Sequence, residues 1–63
     1  MSNLTKHYKI YPIKAFPNQY MIDIYEEADG LTSFERTTSN LAGLSEIIRK
    51  FEQLGYVADS IVF

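Results

Sequence analysis

Residues 22–37 read IDIYEEADGLTSFERT, and the centre of that stretch decides the fold. Two runs rich in Ile, Tyr, Thr and Phe flank Ala28-Asp29-Gly30, and such runs around an Asp-Gly dipeptide predict two antiparallel strands joined by a hairpin. Loop length sets which faces meet. With Asp29-Gly30 as a two-residue turn, Tyr25 stands opposite Phe34 and Asp23 opposite Arg36. With Ala28-Asp29-Gly30 as a three-residue loop and Gly30 left-handed, Ile24 stands opposite Phe34. Side chains alternate across a strand, so the two registers send opposite sets of residues to the core. The three-residue loop is the expected one, because the other leaves the third strand almost nothing to give the core. In that register Tyr20, Ile22, Ile24 and Phe34 face inward, and Met21, Asp23, Tyr25, Ser33, Glu35 and Thr37 face out. The resulting proximity of Asp23 to Glu35 calls for an offsetting cation, and Lys9 on the first strand is the candidate.

Outward from the hairpin, His7 to Lys14 forms a first strand, separated from Gln19 to Glu27 by the turn residues Phe16-Pro17-Asn18. Leu31 to Thr38 is the third strand. From Asn40 to Leu54, the residues Leu41, Leu44, Ile47, Ile48, Phe51 and Leu54 fall on one stripe at helical spacing. Ser39 or Asn40 supplies the N-cap and Gly55 the stop. The opposite side carries Ala42, Glu46, Arg49, Lys50 and Gln53, a solvated face. Tyr56 to Phe63 is a last strand, too apolar to float free. It is expected to pair in parallel at an edge of the sheet, or with a second copy. The predicted fold is α+β, in the order β-β-β-α-β: a small, mainly antiparallel sheet with one amphipathic helix on one face and a C-terminal strand joining an edge. Residues 1–6 are expected to be a flexible leader and 7–63 a single domain.

A chain of 63 residues buries only about 60% of its unfolded surface, so stability is marginal without a staple or a partner. With no cysteine and one histidine, His7, neither a disulfide nor a Cys/His zinc site can be built. No cofactor or metal is expected, and self-association or a protein partner is the remaining source of stability. No apolar run approaches a membrane span and the N-terminus lacks a signal-peptide core, which predicts a cytoplasmic protein with no membrane partner. Asn3-Leu4-Thr5 matches a glycosylation acceptor, but carries no weight without a secretion signal.

The chemical inventory is thin. No cysteine nucleophile, serine elbow or glycine-rich phosphate loop is present. Glu26, Glu27 and Asp29 cluster at a hairpin tip open to water, where nothing raises a carboxyl pKa for acid–base work, and EEADG lacks the spacing of a calcium loop. The expectation is that the protein is not an enzyme. Lys6, Lys9 and Lys14 lie in a segment without acids, whereas Asp23, Glu26, Glu27, Asp29 and Glu35 follow in one without bases, so neighbouring strands neutralise each other.

Four of the five tyrosines fall between Tyr8 and Tyr25. Tyr8, Tyr20 and Tyr56 are assigned to the core or its rim, which leaves Lys9, Tyr11, Met21 and Tyr25 as the candidate partner-binding group on the open sheet face. Three strands followed by a helix resembles, in element order alone, the DNA-binding domain of tyrosine-type integrases. That resemblance implies DNA reading through basic residues on the sheet, and this sheet carries acids there. A nucleic-acid module using Tyr11, Tyr25, Lys9 and Lys14 is therefore the second reading, since a polyanion needs a positive field and the pI is about 5.1. The first reading is a small non-catalytic interaction protein of a bacterial or bacteriophage accessory or inhibitor type, binding a larger protein through its sheet face or an edge strand. A structural subunit of a homo-oligomer is the third.

Overall fold

In the computed structural model, which describes residues 4–63, Asp29 and Gly30 both take left-handed backbone, with φ of 53° and 80°. Two successive positive φ angles make a two-residue type I′ turn, whose twist suits the flanking strands. Ala28 stands opposite Leu31, Tyr25 opposite Phe34 and Asp23 opposite Arg36. This corrects the expected three-residue loop. Asp is among the residues that enter the left-handed region most readily, so the turn needs no third member. Phe34 consequently lies with Tyr25 on the face away from the helix, Glu35 lies on the helix side, and no Asp23–Glu35 juxtaposition arises.

The chain runs β1 (Thr5–Ile13), β2 (Phe16–Ala28), β3 (Leu31–Asn40), α1 (Leu41–Gln53) and β4 (Val57–Ile61). The four strands form one mixed sheet in the order β3-β2-β1-β4, with β4 parallel to β1 at the edge. The expected α+β class and element order hold. Because the first three strands alternate in direction, β4 is also parallel to β3, and joining two parallel strands obliges the chain to cross the sheet. α1 makes that crossing.

Two boundaries differ from expectation. Thr5 and Lys6 belong to β1, opposite Glu27 and Glu26, rather than to a leader; residues 1–3 lie outside the described residues. The first turn is Lys14-Ala15, not Phe16-Pro17-Asn18. Phe16 already pairs with Ile13, and the register then slips so that the next pair is Pro12 with Tyr20. The slip falls between two prolines, Pro12 and Pro17, which have no N–H to give a ladder.

Asn40 ends β3 and caps α1, its Oδ1 accepting from the Gly43 N–H at 2.9 Å. At the other end Gly55 takes φ 86°. Its N–H donates to the Glu52 carbonyl and that of Tyr56 to the Phe51 carbonyl, which closes a Schellman motif. The Phe51 ring lies between Tyr56 and Tyr8, at 5.0 and 4.6 Å between centroids. Leu44 is the buried residue of the helix, seated on Tyr8, Ile10, Tyr20 and Ile22, with Ile47, Ile48 and Phe51 half-buried around it. Leu41 and Leu54, at the two ends of the apolar stripe, are exposed.

Length explains the small core. β2 has 13 residues, about 43 Å at 3.3 Å per residue, and the molecule is 43 Å in its longest dimension. A helix of 13 residues spans only about 20 Å. The helix is thus too short to cover the whole sheet, and in β3 every residue but Ser39 is exposed.

Truncating Leu44→Ala is expected to cost about 2–5 kcal/mol, a large part of a small domain's stability. Ile48→Ala, already half in solvent, is expected to cost less, and urea titration gives both values. Gly55→Ala is expected to lose about 1 kcal/mol from backbone strain alone, since an added Cβ meets no atom within 4 Å.

Candidate functional site: the open sheet face

The face opposite α1 is built from cross-strand rows. Alternation along β1, β2 and β3 brings three residues side by side at each level. The first row is His7, Tyr25 and Phe34; the second is Lys9, Asp23 and Arg36; the third is Tyr11, Met21 and Thr38. Below the third row, Ile13, Phe16, Gln19, Met21 and Thr38 line a shallow depression of about 370 Å³.

In the first row the rings touch in sequence, His7 stacked on Tyr25 at 5.1 Å and Tyr25 against Phe34 at 5.2 Å. The His7 Nδ1 also meets the Asp59 carboxylate from β4. Cations from the second row lean over these rings, with Lys9 Nζ 5.8 Å from the Tyr25 centroid and the Arg36 guanidinium 5.3 Å from that of Phe34. Such contacts add modestly to packing and hold the rings in place.

The second row has an acid at its centre. Asp23 is only 4% exposed, although it points away from the core. Its Oδ1 accepts from Arg36 Nε at 2.8 Å, and its Oδ2 accepts from Arg36 Nη2 at 3.3 Å and from the Tyr11 hydroxyl at 2.9 Å. The Arg36 bonds, with help from Tyr11 and Lys9, hold the Asp23 carboxyl below its ordinary value against the opposing effect of burial. Donating to that carboxylate raises the Tyr11 hydroxyl, and the same carboxylate raises Arg36. Row two therefore acts as a fixed polar bar under the aromatic row.

On the helix side a smaller polar group borders the core. Tyr56 donates to Glu26 Oε1 at 2.5 Å, which raises its hydroxyl pKa, and Lys6 Nζ lies 5.5 Å from the Tyr56 ring. It fastens the start of β4 to β2.

Lys9, Tyr11, Met21 and Tyr25 all lie on the open face, Lys9 exposed and the other three half-buried. Lys14 lies in the β1–β2 turn. Phe34, Arg36 and His7 also belong to the face, and sequence reasoning missed them. The signal for the first two was the Asp-Gly dipeptide, the strongest short-range mark of a two-residue hairpin. Among the described residues, no group of three or more His, Asp and Glu side chains could hold a metal ion. The face offers rings, a thioether and fixed charges.

Because the folded Asp23 pKa is depressed, its contribution to stability is complete above the ordinary value of 3.8 and is lost as pH falls through the lower, folded value. Arg36→Gln removes the chief cause of the depression, so that variant is expected to have a lower denaturant midpoint at neutral pH, with the difference from wild type narrowing as pH falls through the folded value. Denaturant midpoints measured from neutral pH down through the carboxylate range check this; superimposable profiles would show that Arg36 does not stabilise the carboxylate. Comparison with protein-family models, with functionally described proteins and with solved structures finds no match to this chain.

Proposed function

We propose that this chain is a non-catalytic interaction domain that binds a larger protein through the open face of its sheet, in an accessory or inhibitory role. The observation that carries the proposal is the uncovered row His7, Tyr25 and Phe34, in which Phe34 is 51% exposed, with half-buried Tyr11 and Met21 on the far side of the charged second row. Rings and a thioether interspersed with charged groups are a composition that protein interfaces favour. Row two fits the same use, because an acid already satisfied by Arg36 and Tyr11 brings no unpaired charge into a contact. No helix among the described residues is long and apolar enough to cross a membrane. A cytoplasmic site of action belongs to the same proposal.

The register gives one observation in favour of nucleic acid: Glu35 leaves the face and Arg36 joins Lys9 on it. Asp23 neutralises that arginine, however, and the chain's net charge is −2. A protein partner is the better fit to a face whose charges are already matched.

Placing a photo-crosslinking aromatic residue at Tyr25, and separately at Glu46 on the outer helix face, tests the reading in cells. A discrete protein adduct is expected from position 25 and none from position 46. Excess unlabelled wild-type chain should compete the adduct away, and Tyr25→Ser chain, compared only where circular dichroism shows it folded, should compete poorly. In parallel, amide-shift titration with single- and double-stranded oligonucleotides at low salt is expected to leave the face unmoved. Shifts on Lys9, Tyr11, Tyr25 and Arg36 that vanish with added salt would transfer the face to nucleic acid.

A further inference from the structure

The two edges of the sheet are unlike. β4 has five residues, slips in its pairing between Tyr8 and Lys9, and carries Asp59 at the slip. Shortness, a bulge and a charge are devices that keep an edge from pairing with another chain. β3 has ten residues, pairs with β2 without a slip, and contains no proline or lysine. Its two charges, Glu35 and Arg36, point to opposite faces, and Arg36 is tied to Asp23. A two-residue loop closes on a hydrogen-bonded pair, here Ala28 and Leu31. Ser33, Glu35 and Thr37 then turn their main-chain groups toward β2, while Thr32, Phe34, Arg36 and Thr38 turn theirs outward.

We propose that β3 pairs antiparallel with β3 of a second copy of this chain, about a two-fold axis at Phe34, joining two four-stranded sheets into one. Symmetric antiparallel pairing brings one residue opposite its own copy. Centred on Glu35 or on Arg36, it sets like charges face to face, which destabilises a strand pair. Centred on Phe34, it sets two rings together, with Glu35 opposite Ser33 and Arg36 opposite Thr32. The outward groups of Thr32, Phe34 and Arg36 meet in about six main-chain hydrogen bonds.

Charges complement one another in this register as well. Arg36 of one copy comes beside Thr32 of the other, whose neighbour on β2 is Glu27. Asp29 of the second copy comes beside Ser39, close to the start of α1, whose first turn holds no acid of its own. The helix leaves room for the second sheet, since β3 is exposed along nearly all its length. On the open face, the rows His7, Tyr25 and Phe34 of the two copies become a single run of rings.

The chain has no cysteine, so Phe34→Cys is a clean probe. Its Cα would lie about 5.5 Å from its own copy, within disulfide reach. Mild oxidation is expected to convert Phe34→Cys to a covalent dimer, and Arg36→Cys about tenfold less, because its own copy is out of reach in this register. Sedimentation of the unmodified chain is expected to show a concentration-dependent dimer. Thr32→Pro removes an outward N–H without touching the β2 ladder, so it should sediment as a folded monomer by circular dichroism. A wild-type chain that stays monomeric at millimolar concentration overturns the proposal, as does a dimer that survives Thr32→Pro or an Arg36→Cys chain that crosslinks as readily as Phe34→Cys.

Discussion

Asp29 and Gly30, two left-handed residues in succession, constrain more of this molecule than any buried contact does. Their turn sets the β2–β3 register, and the register sets the composition of both faces. One residue more in the loop would bring Phe34 to the helix side of the sheet and turn Arg36 away from Asp23. With Asp29-Gly30 alone, the carboxylate receives its guanidinium and Tyr25 receives a second ring. The local cost of putting Asp at positive φ is small, whereas the register it selects decides whether a nearly buried acid is paired. Without that register the nearly buried carboxylate would lose the guanidinium of Arg36, which is itself half exposed.

The second constraint is a mismatch of lengths. A helix of about 20 Å cannot cover a sheet whose long strand runs the 43 Å of the molecule. Tyr8, Ile10, Tyr20, Ile22 and Leu44 therefore make a core over the middle of β2, and β3 beside it is left exposed. Hydrophobic burial is proportional to area removed from water, so β3 gains little from that core. What holds it is the cross-strand ladder together with the rows of the open face. Tyr25, Phe34, Asp23 and Arg36 do for the hairpin what Leu44 and Phe51 do for the rest.

The helix was legible because its signals agreed: a one-sided apolar stripe, a cap at Asn40 and a stop at Gly55. The open-face positions Lys9, Tyr11, Met21 and Tyr25 were legible too, since alternation along β1 and β2 is independent of the loop that follows. Phe34 and Arg36 were not, because two rules conflicted there. The hydrophobic pattern asked for Phe34 inside, and the turn chemistry asked for it outside. Turn chemistry prevailed, and it could do so because Phe34 has Tyr25 and Arg36 as neighbours on the open face. The place of β4 was illegible for another reason, as both edges could accept a parallel strand. Asn40 is at once the last residue of β3 and the cap of α1, so the helix leaves at the β3 edge and crosses toward β1, where β4 is set down.

That crossing also explains why one edge is guarded and the other is not. The strand that arrives last is short and irregular, ending in contacts such as the Val62 N–H to the Ile10 carbonyl, and it closes the β1 side. β3 is instead long and regular because it must do two things at once, complete the hairpin and launch the helix. An unbroken ladder to β2 serves both, and a proline or bulge that would blunt its outer edge would also weaken that ladder. The features that make β3 a sound partner for β2 thus make it an available partner for another strand. The polarity of Thr32, Ser33, Thr37 and Thr38 keeps the exposed strand soluble without closing that edge.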